Sequence, residues 1–412
     1  MKKRIFAMIV AMLFFITGCS PKIQGEDLMK GVEQDEKPIV QMSEVNSVAL
    51  TDFAVRLFQA STEEGKNTLI SPLSVLSALA MTANGAKEDT LSQMESVLGM
   101  KTEELNQYLY SYMKALPQGE KYKLNLANSI WFIDDERFNV KEGFLQINKD
   151  YYGADVYKAP FDNTTVKDIN NWVKDKTDGM IPEILDEISK EEVMYLINAL
   201  AFEAEWANIY TNNDVRNRIF STEDGQNQDT DFMYGEENVY LEDKDATGFV
   251  KYYKDQKYAF VALLPNEGVS VAEYVKGLNG GDLNRLLTNS LNVTVRTAIP
   301  KFETEFAVEM SEVLCDMGMT DAFHEDKANF VDLGTSTRGN IYINRVLHKT
   351  FISVAEKGTK AGATTAIAMA DKCAVMEEEP KSVYLDRPFV YMLIDCETNI
   401  PFFIGTMMSV NE

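Results

Sequence analysis

Residues 356–370 read EKGTKAGATTAIAMA. The stretch is small, nearly uncharged, and made of residues that accept an extended backbone but pack poorly alone. Strand side chains alternate between two faces. One face then carries Thr359, Ala361, Ala363, Thr365, Ile367 and Met369, all small or apolar. The other carries Lys360, Gly362, Thr364, Ala366, Ala368 and Ala370, so the single charge lies on that face. No proline falls between positions 356 and 379, which leaves every N–H available to a ladder. A polar run follows, with Asp371, Lys372 and Cys373, then Glu377, Glu378, Glu379 and Pro380. The pattern is a strand waiting for a sheet, leading into an exposed loop. Adding such a strand to a sheet can do mechanical work.

Further motifs lie in order around it. Ser71-Pro72-Leu73-Ser74 precedes Ala83-Asn84-Gly85-Ala86, and Tyr152-Gly153-Ala154-Asp155 leads to Phe161. Ile169-Asn170-Asn171-Trp172-Val173 is followed by Thr177-Asp178-Gly179-Met180-Ile181. Asn198-Ala199 stands before Phe202 and Trp206, and Pro300-Lys301-Phe302, Arg387-Pro388-Phe389 and Phe403-Ile404-Gly405 close the series. Together they resemble the serpins, the serine protease inhibitor superfamily, over most of residues 46–412. The resemblance implies a mixed α/β (α+β) fold with three β-sheets and about eight or nine helices in a single domain, 47–412. It also implies a reactive-centre loop at about 356–385, with Glu356, Gly358, Thr359, Ala361, Ala363 and Thr365 as its hinge. Glu203-Ala204 departs from the Lys-Gly usual in the family before the tryptophan.

The local patterns suit such a domain. Val45, Val48, Ala49, Phe53 and Leu57 recur at helical spacing. Ser71 suits an N-cap, with Pro72 at the first helical position. Residues 91–98 stop at Gly99. Residues 123–133 and 193–202 read as central strands, and 249–264, 291–299, 341–354 and 389–395 as further strands. The pattern 308–317 reads as a helix containing Cys315.

The N-terminus is a separate object. Met1-Lys2-Lys3-Arg4 is basic, and residues 5–16 form an apolar run too short for a stable membrane span. Ile16-Thr17-Gly18-Cys19 resembles a bacterial lipobox. This implies a signal peptide over 1–18 and a lipid on Cys19, with an ordinary secretory signal as the alternative. A single acyl chain anchors only weakly, so several would be needed. Residues 19–46 are polar and acidic, the composition of a flexible tether. The expected location is exported, lipid-anchored at a bacterial cell surface or secreted.

Composition limits the partners. The formal charge of −24 repels nucleic acid and anionic lipid. The chain has 4 cysteines, which make no disulfide framework. Cys315 and Cys396 read as small hydrophobes in the core, and Cys373 as a free thiol in the loop. A monomer is expected, with no cofactor and no metal.

Enzyme chemistry finds little purchase. The 2 histidines are His324 and His348. No GxSxG elbow, phosphate loop or HExxH is present, and two lone histidines lack a third metal ligand. His324 reads as a surface residue near a turn. The resemblance assigns His348, Ser71, Ser74 and Asn198 to a hydrogen-bonded shutter beneath the central strands, and Trp206 to the region above it. Such a network holds only while every member is paired. A satisfied core histidine is the simpler reading of His348, and neither reading is catalytic.

The resemblance also implies the mechanism of a suicide substrate. A protease acylates itself on the loop, the freed hinge inserts into the central sheet, and the tethered enzyme is distorted. Counting roughly seventeen residues inclusively from Glu356, as the family pattern implies, puts the reactive bond at Lys372–Cys373. That predicts a trypsin-like serine protease. Counting back from Pro388 lands near Glu377, so Val375 and Met376 remain alternatives for elastase-like or chymotrypsin-like targets, and Ala370 and Cys373 for elastase-like ones. A cysteine protease is a further candidate. The competing function is a non-inhibitory serpin-fold binding protein, which would be expected to carry charge, bulk or proline in the hinge.

Overall fold

The segment MYLINALAFEAE is apolar at nearly every position, and such a strand needs cover on both faces. It receives that cover at the centre of a seven-stranded sheet. The computed structural model describes residues 23–41, 43–116, 121–337, 339–359 and 379–411. Across the sheet the strands run Glu26–Asp27, Asp155–Ala159, Tyr122–Ile133, Met194–Glu205, Gly358–Thr359, Arg345–Ala355 and Phe302–Glu309. Met194–Glu205 and Arg345–Ala355 are called the inner pair below.

A nine-stranded sheet forms the second wall, with Tyr258–Pro265, Phe389–Asp395 and Pro401–Met407 buried along their whole length. A two-stranded ribbon pairs Phe138–Val140 with Gly334–Ser336. The described helices are α1 (Glu44–Ser61), α2 (Pro72–Ala83), α3 (Glu88–Leu98), α4 (Thr102–Ala115), α5 (Glu142–Tyr152), α6 (Asn163–Lys176), α7 (Val271–Gly277), α8 (Gly280–Thr288) and α9 (Ser311–Asp316). This is the expected mixed α/β architecture. Every residue of α2 is buried, as suits a helix apolar all round, and it touches both large sheets. On the outer face of the central sheet, Ile169, Trp172 and Val173 of α6 pack on Trp131, Tyr195, Ile197 and Leu347.

Several local expectations change. Residues 308–317 are not one helix: the strand Phe302–Glu309 takes the first part, and α9 is short. Residues 249–264 are two strands, Ala246–Tyr252 and Tyr258–Pro265, folded back on each other. The strand expected from position 341 begins at Arg345. Ser71 precedes α2, but its side chain caps nothing. Cys315 and Cys396 are free and half-buried rather than fully in the core.

The largest correction concerns the flexible tether expected over 19–46. Residues 23–41 run along the domain as a strap. Glu26 and Asp27 pair with Lys158 and Tyr157 as an extra edge strand, and Leu28 N–H donates to the Val156 carbonyl at 2.9 Å. Buried Asp168 of α6 accepts from the backbone N–H of Gln24 at 2.7 Å and of Gly25 at 2.9 Å. Asp150 of α5 accepts from Asp35 N–H at 2.9 Å and pairs with Lys37 at 2.7 Å. Burial raises the Asp150 carboxyl, but Lys37 and these donors outweigh it and hold the group below the usual carboxylate range. Tyr110 and Ser111 of α4 accept from the N–H groups of Lys37 and Val40. Met29 enters the main core. Polar composition missed this because the ties use backbone donors, which carry no compositional signature. Residues 1–22, including Cys19, lie outside the described residues.

Replacing Asp168 with alanine strands two backbone donors, at about 1–3 kcal/mol each. In the D168A variant the amides of residues 24–28 should exchange at least about tenfold faster and the urea midpoint should fall. Unchanged exchange there would mean that Asp168 does not hold the strap.

Candidate functional site

The inner pair is zipped at one end and parted at the other. Arg345–Lys349 pairs in parallel with Tyr195–Ala199, one residue to one. At the far end Val354 and Ala355 do not meet Ala204 and Glu205. The hinge lies between them: Thr359 pairs with both Val354 and Ala204, and Gly358 with both Ala355 and Glu205. Among the described residues, no ladder pairing joins positions 350–353 to positions 200–203. The sheet thus holds an open slot with two hinge residues already in its mouth.

Gly358 is required there. Its φ is 153°, and a Cβ would lie 1.9 Å from the Ala204 carbonyl oxygen. Only glycine fits so close an approach. Thr359 is 1 % exposed, and its Oγ1 lies 2.5 Å from Tyr253 Oη. Burial pushes the Tyr253 phenol far up, so it stays neutral. The hinge therefore enters the sheet without burying a charge.

The turn before it is gripped from one side. Trp206 Nε1 donates to the Ala355 carbonyl, Trp206 N–H to the Lys357 carbonyl and Tyr210 N–H to the Glu356 carbonyl, at 2.8, 2.8 and 2.9 Å. Trp206 stacks on Tyr253 with centroids 4.3 Å apart. Lys301 Nζ pairs with Glu356 Oε1 at 2.9 Å. Burial raises the Glu356 carboxyl, but hydrogen bonding from Lys301 wins and holds it below the usual range. The motif resemblance marked Trp206 but did not assign Lys301, Tyr210 or Tyr253 to the site. Only their places at the strand ends bring them together. The departure at Glu203-Ala204 does not disturb the strand: Glu203 faces Lys123 across the ladder, opposite in charge.

Roughly 20 Å of strand below Val354, six residues at about 3.3 Å each, the zipped end carries the shutter. His348 and Asn198 are ladder neighbours, and both side chains are buried. His348 Nδ1 lies 2.5 Å from Asn198 Oδ1, and Ser74 Oγ donates to the same oxygen at 2.7 Å. Asn198 Nδ2 donates to the Leu347 carbonyl at 3.2 Å. Ser71 N–H donates to His348 Nε2 at 3.0 Å. That donor assigns the tautomer: Nε2 accepts, so Nδ1 carries the proton and donates to Asn198. Ser71 thus joins through its backbone, while its hydroxyl has no partner among the described residues.

Glu356, Gly358, Thr359, Trp206, Ser71, Ser74, Asn198 and His348 all fall along one seam. Ala361, Ala363 and Thr365 of the hinge, and Ala370, Lys372, Cys373, Val375 and Met376 of the loop, lie outside the described residues. His324 is exposed. Among the described residues no group of three His, Cys, Asp or Glu side chains could hold a metal.

Comparison with known proteins bears on the family and the fold. The sequence model described as Serpin (serine protease inhibitor) matches residues 48–410. An uncharacterised serpin-like protein of Thermococcus kodakarensis is 30% identical over 395 residues, covering 94% of this chain and 88% of that one. Human leukocyte elastase inhibitor is 28% identical and covers 88% of this chain and 99% of its own. Among solved structures, the thermophilic serpin tengpin in its native state is 49% identical, with a TM-score of 0.90 over 94% of this chain and 100% of that one. The latent state of tengpin gives 0.81 over 90% of this chain and 100% of that one.

His348 generates a pH prediction. Burial pushes its pKa down to about 3, from an ordinary 6.5. A base with a depressed folded pKa gives stability that is complete above the unfolded value and is lost as pH falls toward the folded one. The unfolding free energy should therefore drop by about 1.4 kcal/mol per pH unit between about pH 6 and pH 3 through this residue. Urea unfolding of wild type and H348Q across this range tests it, and the variant should show the flatter dependence. Parallel curves would place the acid sensitivity elsewhere.

Proposed function

The chain belongs to the serpin family of serine protease inhibitors, and from that premise we propose that it traps a trypsin-like protease as a suicide substrate cut at Lys372–Cys373. It is an inhibitor and not an enzyme. The observation that carries the reading is the hinge: Gly358 and uncharged Thr359 already sit between strands that remain parted ahead of them.

The register gives the path of insertion. Thr359 stands opposite Val354 and Ala204, and an antiparallel strand moves one position back for each residue added. Residues 360–363 then meet the open positions. Residue 364 meets Lys349 and Ala199, where the inner pair is zipped and must part. Thr365 arrives between His348 and Asn198, on the same face as Thr359, and brings a hydroxyl to the row whose hydrogen bond it breaks. The first stage costs little and the second requires the shutter to open. Cleavage removes the restraint on the loop and lets the second stage run.

The chemistry belongs to the target. Its serine oxygen attacks the Lys372 carbonyl, the peptide bond to Cys373 breaks, the amine of Cys373 leaves, and an ester joins Lys372 to the protease. Insertion from residue 359 onward carries that ester across the sheet before water can cleave it. This chain supplies no catalytic group; it supplies unmade sheet contacts. Ala370, Val375 and Met376 are the alternative bonds for elastase-like targets, a class that human leukocyte elastase inhibitor favours through its name. A cysteine protease forms the corresponding thioester. A binding protein without inhibition is the competing function, and the small, uncharged inward face of the hinge counts against it.

We assign Cys19 as a lipid attachment at a bacterial surface, on the strength of Ile16-Thr17-Gly18-Cys19. Residues 20–22 are all that separate it from the strap, so the domain would sit close to the membrane. In C19S the protein should move from the membrane fraction to the medium; retention in the membrane would remove the anchor.

Trypsin and neutrophil elastase, mixed separately with the protein, test the trap. A complex stable to denaturing electrophoresis is expected with trypsin, with a released peptide beginning at Cys373. In T359R the loop should still be cut but no complex should form, because burying the unpaired guanidinium costs several kcal/mol. Clean cleavage without complex by wild type, across a panel of proteases, would establish the non-inhibitory function instead.

A further inference from the structure

Beneath the turn that grips the hinge lies a buried ion pair. Lys251 is 2 % exposed and Glu237 7 % exposed, and Nζ lies 2.7 Å from Oε1. The same Nζ donates to the Asn208 carbonyl at 3.2 Å. It stands 4.3 Å from the Tyr210 ring centroid and 5.2 Å from that of Trp206. Ala207 N–H donates to the carbonyl of Tyr252, the residue beside Lys251. Residues 206–210 are thus fixed to the strand Ala246–Tyr252 from below. From above, Trp206 and Tyr210 give the three N–H groups that hold the carbonyls of Ala355, Glu356 and Lys357.

A buried ion pair is a poor source of net stability, because desolvation offsets the attraction, and apolar side chains of like volume serve as well or better. What such a pair can give is a fixed geometry. Here the fixed element is the turn that carries all three donors. Cation–π contact to two rings adds to its rigidity.

We propose that Lys251, oriented by Glu237, is a positioning residue for strand insertion: it holds residues 206–210 so that the hinge is caught with two residues in the slot. Without the pair the three donors lose their common alignment and the hinge advances into positions 350–353 and 200–203 without cleavage. Lys251 touches neither protease nor loop, and it acts through Trp206 and Tyr210. The inference rests on insertion of the loop, as proposed above, and reaches beyond it by naming what restrains the first stage.

The test compares the full chain with a variant carrying both E237L and K251M, which removes both charges at similar volume. Amide exchange at Trp206 and Tyr210 should rise at least about tenfold, while exchange along Phe389–Asp395 stays unchanged. During incubation without protease, conversion to a form resistant to urea unfolding should be at least about threefold faster in the variant. E237Q, which leaves a neutral acceptor beside Lys251, should move both readings the same way by less, and it decides the matter if the double variant fails to fold. Unchanged exchange at Trp206 and Tyr210 overturns the proposal. So does a rise spread evenly over the core with a matching fall in the melting point, which would make the pair a general element of stability. Neither exchange reading involves a protease, so failure of wild type to trap trypsin would count against the proposed function and leave this result to be judged separately.

Discussion

The side-chain amide of Asn198 ties three elements with one group. Its oxygen takes a hydrogen bond from His348 on the facing strand and another from Ser74 on α2, and its nitrogen donates to the Leu347 carbonyl. Burial makes each of these bonds costly to break and the unpaired group costly to leave. The lower half of the inner pair is therefore closed by a polar lock inside an apolar sheet. Above it the same two strands part, and the slot between them takes the first two hinge residues. A sheet closed at one end and parted at the other holds backbone groups that a further strand can pair, and that unmade ladder is the reservoir on which insertion draws.

The surroundings of the seam divide between what must move and what must not. The nine-stranded wall is buried along the whole of Tyr258–Pro265, Phe389–Asp395 and Pro401–Met407 and offers a rigid base. α2 lies between the walls and carries Ser71 and Ser74 to the lock. On the outer face, α6 covers the zipped half through Ile169, Trp172 and Val173, and the strap reaches α6 through Asp168. The N-terminal strap is therefore attached to the same helix that lies over the strands which insertion must separate. At the upper end Lys251 and Glu237 underlie the turn that grips the hinge, so polar groups buried in apolar surroundings stand at both ends of the seam.

Much of this was legible in the sequence. The alternation of Thr359, Ala361, Ala363 and Thr365 marked a strand with one uncharged face, and Thr359 is buried in the sheet as that pattern required. Asn198, His348, Ser74 and Trp206 were marked by motif and prove to lie along one seam. Patterns failed where the signal was not a side-chain period. The strap looked like a tether because its bonds are made by backbone N–H groups to Asp150 and Asp168, distant in sequence. Ser71 belongs to the lock as its motif implied, though which of its groups joins was not legible: its amide, not its hydroxyl, meets His348. The run 308–317 read as a helix because apolar residues in a short window fit both periods.

Local sequence accounts for the extended pattern of the hinge, its uncharged face, the glycine at its start and the residue types able to form a buried polar lock. These are local properties, set by side-chain alternation, backbone freedom and hydrogen-bonding capacity. How far the hinge has entered, which tautomer His348 holds, that Lys251 and Glu237 meet beneath Trp206, and that the N-terminal segment is a strap all follow from the folded chain alone. Each of these depends on distances between residues far apart in the chain. No local pattern encodes such distances, because packing two sheets and α2 around one core is what fixes them.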